Sequence, residues 1–218
     1  MSEKQKIIAL LSGGIDSTVM LAQLLDTGNE VLGLSFNYGQ RHASRELGAV
    51  KHIANHYGIT HSEKTVPMAQ YGALTGNTEV PVEDYSVESQ TITVVPMRNL
   101  ILLGYAAGTA MVKGFDAVAY AAHASDHGVY PDCRPEFVQH LGAAFHAAEG
   151  PKLVAPFLKK HKWEIVALGA HLNVPFNLTW TCYQGKERQC GICGSCHERR
   201  MAFTRAQVPD PAEYERET

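Results

Sequence analysis

A short loop, SGGIDS at residues 12–17, carries residue types that suit the binding of a phosphate group. It lies between a continuous apolar run, IIALLS at residues 7–12, and a segment with helical periodicity. At such a strand-to-helix turn the backbone N–H groups point toward an anion, and glycine allows a close approach. Asp16 beside a phosphate makes most sense through a bridging Mg²⁺. The spacing matches neither GxxxxGK(S/T) nor GxGxxG, and the alternative interpretation is a plain turn with a capping aspartate.

Four of the five cysteines lie between residues 182 and 196, with the spacing C-x7-C-x2-C-x2-C. Four thiolates with glycines between them suit a closed tetrahedral Zn²⁺ site that stabilises a short segment. An iron–sulfur cluster is the alternative, but here the fourth cysteine lies upstream and no Cys-Pro follows. The isolated Cys133 is interpreted as a small buried apolar residue rather than a nucleophile. The predicted metal ligands are Cys182, Cys190, Cys193 and Cys196.

Two further segments place polar residues where strand ends should deliver ligand contacts. Arg98 and Asn99 stand at a predicted strand-to-helix junction, where an arginine could clamp phosphate, although a solvated surface charge is the commoner case. The segment HASDHGVYPDCRPEF, residues 123–137, holds more hydrogen-bonding side chains than a simple connector needs. Taken alone, Lys162 and Arg199 are interpreted as exposed cations.

The elements that must position these residues are predicted from the apolar pattern, which alternates between strands and helices. Continuous apolar runs indicate parallel strands that are buried on both faces. Residues 67–93 lack periodicity and are interpreted as a lid or substrate loop. The predicted fold is a doubly wound α/β domain with a mostly parallel sheet and a small C-terminal zinc-bearing helical element. The strands are placed at 7–12, 30–36, about 59–66 and 116–122, and the helices from a cap at Asp16 or Ser17 to Gly28 and at 42–57, 99–114, 135–149 and 162–173.

Length and composition set the class of protein. With 218 residues, 45% of them hydrophobic, the chain can bury one domain core. We assign that domain to residues 1–175, a zinc-binding element to 176–206 and a loosely held polar tail to 207–218. The net charge of −3 and the lack of a Lys/Arg run disfavour stable nucleic-acid binding. The first residues contain too few apolar side chains for a signal peptide or membrane span, so a cytoplasmic location is predicted.

The SGGIDS loop resembles the SGGxDS loop of the ATP pyrophosphatases, which cleave ATP between the α and β phosphates. This resemblance implies an adenine nucleotide alpha hydrolase-like fold. It also implies a reaction in which a substrate oxygen attacks the α-phosphorus of ATP, so that AMP becomes a leaving group. The ATP-binding residues that it implies are Leu11, Ser12, Gly13, Gly14, Ile15, Asp16, Ser17 and Thr18.

Further motifs narrow this resemblance to one family. VPMRN at 95–99, YPDCRPEF at 130–137 and the cysteine cluster, together with SGGIDS, make residues 7 to about 203 similar to the 7-cyano-7-deazaguanine synthases. The similarity implies an ATP-dependent ligase that converts 7-carboxy-7-deazaguanine and ammonia to 7-cyano-7-deazaguanine in queuosine-type biosynthesis. It also implies Mg²⁺, one structural Zn²⁺ and a homodimer, with no nucleic-acid or membrane partner.

The same resemblance implies roles for individual residues. Asp16 would help to place Mg²⁺, and the cations Arg98, Lys162 and Arg199 would offset negative charge on the phosphates and in the transition state. Lys159 and Lys160 compete with Lys162 for its role. The loop at 123–134 would bind the deazaguanine base, with Asp126 or Asp132 accepting hydrogen bonds from its amino and ring N–H groups. The implied substrate contacts are Asp126, Tyr130, Asp132 and Arg134.

Two other functions share part of this pattern. A tRNA-thiolating ATP pyrophosphatase has the same loop and can carry clustered cysteines, but it needs a basic surface or an added RNA-binding domain, for which little of this chain is left over. A zinc-stabilised nucleotide-binding module would bind ATP without releasing AMP. It would also leave Arg98 and residues 123–137 without a role. The nitrile-forming ligase is therefore the predicted function.

Overall fold

A parallel sheet of five strands forms the centre of the protein. The strands are β1 Lys6–Leu10, β2 Glu30–Asn37, β3 Thr60–Thr65, β4 Ala117–Ala119 and β5 Lys152–Val154. They lie in the order β3-β2-β1-β4-β5, and each neighbouring pair is parallel. The computed structural model describes residues 4–82 and 86–216, so the ends of the first predicted domain and of the tail, and part of the loop at 67–93, lie outside these ranges. The predicted parallel sheet is confirmed.

Helices cover both faces of this sheet. The longer ones are α1 Ile15–Asp26, α2 Ala43–Tyr57, α5 Arg98–Lys113, α6 Pro135–Ala147, α7 Lys162–His171 and α8 Gly194–Ala206, and the short α3 Gly72–Thr75 and α4 Val87–Gln90 lie within the loop predicted at 67–93. One hydrophobic core joins the sheet to α1, α2, α7 and α8, and the other joins it to α5 and α6. The strands that follow β1 are added on one side of it and the strands from β4 onward on the other. This reversal of strand order opens a crevice at the carboxyl ends of β1 and β4.

The apolar run of β1 has the burial that its pattern predicts. Ile7, Ile8 and Ala9 are at most 2% exposed, and Ile7 and Ala9 face one core while Ile8 faces the other. Beside it, α1 packs closely on α7, since a Cβ at Gly169 would lie only 2.6 Å from the Val19 side chain. This packing fixes the first turn of α1 next to the start of α7, where two of the predicted site residues lie.

Three local expectations are corrected by the structure. Helix α1 begins at Ile15 with Gly14 as its N-cap, so neither Asp16 nor Ser17 caps it. The strand predicted at 116–122 is limited to Ala117–Ala119, because the chain then turns into the crevice. Strand β5 has only three residues and was not predicted, since so short an apolar run has no readable period.

The C-terminal element shares the main core instead of standing apart from it. Ala202 and Phe203 of α8 are buried in the core that contains α1 and α7. The tail is not loosely held over residues 207–216, because the Tyr214 hydroxyl donates to Asp210 at 2.6 Å and the Glu215 N–H donates to the Gln189 carbonyl at 2.8 Å. Within the described ranges, none of the helices combines the length and the apolar character needed to cross a membrane.

Candidate active site and metal centre

A cavity of about 240 Å³ opens at the carboxyl ends of β1, β2 and β4, where the doubly wound topology predicts a ligand site. Six of the eight residues predicted to bind ATP line it: Leu11, Ser12, Gly14, Ile15, Asp16 and Ser17. The other two support the loop from outside the cavity. Gly13 has a φ of +75° and packs against α2, where a Cβ would lie 2.6 Å from the Glu46 carbonyl oxygen. The Thr18 hydroxyl donates to the Gly14 carbonyl at 2.7 Å.

The loop between β1 and α1 is held in shape by its own hydroxyl groups. The Ser12 N–H donates to Ser17 Oγ at 3.3 Å, and the Ser17 hydroxyl donates to the Gly14 carbonyl at 3.3 Å. The first turn of α1 leaves backbone N–H groups without a partner inside the helix, and they lie at the positive end of the helix dipole. The loop can therefore bind an anionic phosphate at this edge of the cavity.

Five charged or ionisable side chains meet beside this loop. Lys162 Nζ lies 3.2 Å from Asp16 Oδ2 and 2.8 Å from Glu198 Oε2. His123 Nε2 lies 3.5 Å from Asp16 Oδ2 and 3.4 Å from Asp126 Oδ2. All five side chains line the cavity, whereas Lys159 and Lys160 are not among its lining residues. We call these five residues the Lys162 cluster.

The charges within the Lys162 cluster follow from burial and pairing. Burial by itself raises the pKa of Asp16, but the Lys162 ammonium and the His123 imidazole outweigh it and hold that pKa well below its ordinary value. Burial lowers the pKa of His123, yet the carboxylates of Asp126 and Asp16 raise it to about 9. Burial also lowers the pKa of Lys162, but the carboxylates of Asp16, Glu198 and Asp126 outweigh it and hold that pKa above the usual range. At neutral pH the cluster thus presents two cations beside the phosphate loop.

Asp16 also has an atom available for a ligand. Its Oδ1 is buried and has no hydrogen-bond partner among the described residues, whereas Oδ2 faces Lys162 and His123. A buried carboxylate oxygen without a donor is costly unless a ligand completes it. A hard cation such as Mg²⁺ takes oxygen ligands of this kind, so the predicted role of Asp16 fits the geometry.

Arg98 lies on the other side of the cavity, at the first position of α5. Its guanidinium carbon is 6.0 Å from the centre of the Tyr38 ring and 5.9 Å from that of Tyr130, and Nη1 approaches the Tyr38 hydroxyl at 3.4 Å. Met97, with a φ of 58°, turns the chain into the helix at this point. The cavity therefore brings together Arg98 and Lys162, which are about 64 residues apart in sequence.

The segment between β2 and α2, together with the first turn of α2, supplies site residues that the sequence analysis missed. Gln40 Nε2 donates to Glu46 Oε2 at 3.0 Å, and His42 Nε2 lies 3.3 Å from Glu46 Oε1. Tyr38, His42 and Glu46 line the cavity, and the His42 ring lies 5.0 Å from that of Tyr183. Burial raises the pKa of Glu46, but His42 and the hydrogen bonds bring it below its ordinary value. The available signal was a run of polar and aromatic residues directly after a buried strand.

Two of the four predicted substrate contacts lie outside the cavity. Asp126 and Tyr130 line it, as expected. Asp132 instead accepts the Asn99 backbone N–H at 2.9 Å and so binds the first turn of α5. Arg134 is exposed and donates to the His127 carbonyl at 2.8 Å, which stabilises the loop itself. The predicted contacts of Asp132 and Arg134 with the base are therefore corrected to structural roles.

Arg199 is also placed away from the cavity. Its side chain is fully buried, and it pairs with Asp210 through contacts of 2.9 and 3.0 Å. The remaining guanidinium N–H groups face Thr179 Oγ1 at 2.8 Å and the Phe176 carbonyl at 3.3 Å. Because these partners occupy the guanidinium, the expected contact with phosphate is corrected: Arg199 fastens α8 to the tail and to residues 176–181.

The four predicted cysteine ligands form one buried group. Their sulfur atoms lie within 4.8 Å of one another, and each side chain is at most 4% exposed. The backbone N–H groups of Cys190 and Cys193 donate to the sulfurs of Cys182 and Cys190 at 3.3 Å. Such a set of four soft donors fits a tetrahedral metal ion. Cys133 is separate from them, and burial raises the pKa of its thiol, in agreement with a neutral packing residue.

The four-cysteine group lies next to the cavity. Helix α8 begins at Gly194, directly after Cys193, and carries Cys196 in its first turn. From the same helix, Ser195 and Glu198 line the cavity. A metal bound by the cysteines would therefore fix one wall of the cavity.

Comparison with known proteins agrees with this arrangement. A family model described as Queuosine biosynthesis protein QueC matches residues 6–207. A 7-cyano-7-deazaguanine synthase of Archaeoglobus fulgidus is 46% identical over 213 residues, covering 94% of this chain and 89% of the relative. Another from Pseudoalteromonas atlantica is 42% identical over 219 residues, covering 97% and 99%.

A solved structure shows the same fold at low sequence identity. The U34-tRNA thiolase NcsA from Methanococcus maripaludis with its 4Fe-4S cluster is 16% identical, with a TM-score of 0.50, and the match covers 93% of this chain and 66% of that one. Together with the parallel sheet, this confirms the predicted doubly wound α/β fold. The match of the family model over most of the chain, and the two relatives over nearly all of it, show that the protein belongs to the QueC family of queuosine biosynthesis proteins.

Proposed function

We propose that this protein is a 7-cyano-7-deazaguanine synthase, an ATP-dependent carbon–nitrogen ligase acting on 7-carboxy-7-deazaguanine and ammonia. The observation that carries the proposal is one cavity containing the phosphate loop, the Lys162 cluster and Arg98. The names of near-full-length relatives support the choice of substrate. The proposal includes a cytoplasmic location and no nucleic-acid partner.

The proposed chemistry removes both oxygens of a carboxylate. A carboxylate oxygen attacks the α-phosphorus of ATP, and pyrophosphate leaves as the bond between the α-phosphorus and its bridging oxygen breaks. Ammonia then attacks the acyl carbon, and AMP departs with that oxygen, giving the amide. The amide oxygen attacks the α-phosphorus of a further ATP and displaces pyrophosphate, and departure of AMP with that oxygen, together with loss of two protons from nitrogen, leaves the nitrile. One site able to adenylate oxygen can thus perform both dehydrations.

Different residues of the cavity bind the phosphates and stabilise the transition state in this proposal. Backbone N–H groups of the loop after β1 hold the phosphates, and Lys162 lies beside that loop to oppose charge on the transferred phosphorus group. Arg98 supplies a second cation from the opposite wall. His123, with a pKa of about 9, keeps a proton at neutral pH and orients Asp16. These positioned charges stabilise negative charge that increases in the transition state.

Mg²⁺ is proposed as the metal that accompanies ATP, with Asp16 as its protein ligand. The unpartnered Oδ1 of Asp16 supports this assignment. When bound, the ion would neutralise charge on the phosphates.

Zn²⁺ is proposed as the metal of the four cysteines. The buried set of four thiols, closed on all sides and joined to the fold by backbone N–H donors, suits a structural site. Elemental analysis of the purified protein would show about one zinc per chain. A brown protein containing iron and acid-labile sulfide would instead establish an iron–sulfur cluster.

A homodimer is proposed because the outer face of α5 is apolar and exposed, as expected for an interface between two copies of this chain. The exposed side chains there are Ile101, Tyr105, Met111 and Val112, with Val112 89% exposed. Between Arg98 and Lys113 the helix has no charged residue. A second copy of this chain would cover such an apolar face. Light scattering should give the mass of a dimer, and Val112→Glu should reduce it to that of a monomer; a monomeric native protein would refute this part.

The function is tested by incubating purified protein with Mg·ATP, ammonium and 7-carboxy-7-deazaguanine, and by following nucleotides and deazaguanines by mass spectrometry. We expect 7-cyano-7-deazaguanine with AMP and pyrophosphate, and transient amide. AMP release that requires added tRNA would contradict the small-molecule assignment.

A further inference from the structure

One part of the cavity has no role in the adenylation chemistry. It is lined by Tyr38 and His42 from the segment between β2 and α2, by Glu46 in the first turn of α2, and by Tyr130 and Tyr183. We call these five side chains the Glu46 subsite. Because the phosphates are assigned to the loop after β1, this surface is left for the part of the substrate that does not react.

Glu46 is a partly buried carboxylate that is hydrogen-bonded on both oxygens by protein groups. Its side chain is 16% exposed, and each oxygen has one partner, His42 Nε2 at 3.3 Å and Gln40 Nε2 at 3.0 Å. Gln40 is itself fixed, since its Oε1 accepts the Tyr38 N–H at 2.9 Å and its Nε2 donates to the Phe36 carbonyl at 3.1 Å. A carboxylate oxygen can accept more than one hydrogen bond, so both oxygens retain capacity toward the cavity.

The rest of the subsite is aromatic. The His42 and Tyr183 rings lie 5.0 Å apart with an interplanar angle of 31°, and Tyr130 bonds to Thr93 Oγ1 at 2.8 Å. Flat aromatic side chains of this kind pack well against a planar heterocycle. The subsite therefore combines a flat apolar surface with one oriented anion.

The other carboxylates at the cavity are already engaged with cations of the Lys162 cluster. The carboxylates of Asp16 and Glu198 pair with the Lys162 ammonium, and Asp126 Oδ2 lies 3.4 Å from His123 Nε2. Asp132 accepts the Asn99 N–H outside the cavity. Among the described lining carboxylates, Glu46 is held by Gln40 and His42 rather than by the Lys162 cluster, and the cation near it is Arg98, which lies over the Tyr38 and Tyr130 rings.

We propose that Glu46 binds the edge of the 7-deazaguanine base that carries N1–H and the 2-amino group, with the rings of the Glu46 subsite against the base. This inference rests on the proposed function, which supplies the base. The two N–H donors of that edge are adjacent and match the two oxygens of an ionised carboxylate. Glu46 takes the role that the sequence analysis gave to Asp126 or Asp132, and it makes the enzyme select a 2-amino purine analogue.

The test compares two substrates in two proteins. The substrates are 7-carboxy-7-deazaguanine and the analogue without the 2-amino group, and the proteins are the full-length native chain and Glu46→Gln. The native protein should prefer the amino substrate by about 10- to 100-fold in kcat/KM, the effect of one hydrogen bond to a charged group. In Glu46→Gln, kcat/KM for the amino substrate should fall by a similar factor and the preference should shrink, while KM for ATP stays unchanged.

Each outcome decides the matter. If Glu46→Gln lowers kcat/KM equally for both substrates, Glu46 only supports the segment between β2 and α2 and the proposal is overturned. If Asp126→Asn removes the preference for the substrate with the 2-amino group and Glu46→Gln does not, Asp126 binds that edge of the base and the proposal is overturned. Equal use of both substrates by the native protein also refutes the proposal, even if the variant fails to fold. A native protein that makes no nitrile from 7-carboxy-7-deazaguanine, while binding ATP, would overturn the proposed function itself.

Discussion

Replacing Lys162 by methionine tests the electrostatic core of the site. The ammonium lies 2.8 Å from Glu198 and 3.2 Å from Asp16, and the side chain is 11% exposed. Methionine keeps most of the length and removes the charge. Breaking a buried ion pair from one side costs about 3–5 kcal/mol of stability. Burial already raises the pKa of Glu198, so this carboxyl can take up a proton, and we expect a loss near the lower limit, about 3 kcal/mol.

Two assays separate the consequences of Lys162→Met. Thermal unfolding should show a midpoint lower by about 6–12 °C, from about 2–4 °C per kcal/mol for a chain of this size. The rate of AMP release should fall by about 100- to 1,000-fold, the loss typical for one group that stabilises transition-state charge. The exposed Lys159→Met is the matched control and should change neither quantity.

A second substitution distinguishes catalysis from support of the fold. Adding Glu198→Gln to Lys162→Met removes the unpaired carboxylate, so part of the stability should return while AMP release stays slow. Restoration of the rate together with the stability would refute a direct role of Lys162 on the phosphates. A rate for Lys162→Met within about threefold of the native protein would refute the electrostatic reasoning.

Three further predictions concern other parts of the protein. Cys193→Ser should lose the bound metal and lower the melting temperature, because α8 begins at this residue, whereas Cys133→Ser should keep the metal; unchanged metal content in Cys193→Ser would contradict the assignment. Arg199→Met should destabilise the fold by about 3–5 kcal/mol, measured by urea unfolding, and leave KM for ATP unchanged, since Arg199 pairs with Asp210 outside the cavity; a large rise in KM would return Arg199 to the phosphates. The folded pKa of Glu46 lies below its ordinary value of 4.5, so the stabilisation from its ionised form is present above that pH and is lost as the pH falls through the folded pKa. The difference in unfolding free energy between native protein and Glu46→Gln should therefore narrow on acidification from pH 7 to pH 3, and a constant difference would contradict this.

The sequence predicts those site residues whose position follows from the order of the elements. The loop at residues 12–17 follows a strand that is buried on both faces, so its place at the carboxyl edge of the sheet is determined by topology. The cysteine ligands are close in sequence, so their spacing alone indicates a common site. Lys162 begins a helix that packs on α1, and this contact brings it to Asp16.

The remaining roles depend on contacts that have no sequence signal. Arg199 looks like any surface arginine until the tail brings Asp210 to it, because burial of a charge is decided by tertiary packing. Asp132 accepts a hydrogen bond from Asn99, 33 residues earlier in the first turn of α5, and no local pattern indicates such a cap. Glu46 and His42 form an i,i+4 pair that is also expected on a solvated helix face, and only the sheet edge beside them makes the pair part of a site.

The fate of the carboxylate oxygens tests the central claim most directly. With 7-carboxy-7-deazaguanine labelled by ¹⁸O in both carboxylate positions, attack of oxygen on the α-phosphorus must transfer each label to the phosphate of an AMP molecule. Mass spectrometry of the products should therefore find ¹⁸O in AMP at both dehydration steps and none in pyrophosphate. Label in pyrophosphate or in water, with unlabelled AMP, would show that adenylation of the substrate oxygen is not the reaction of this site.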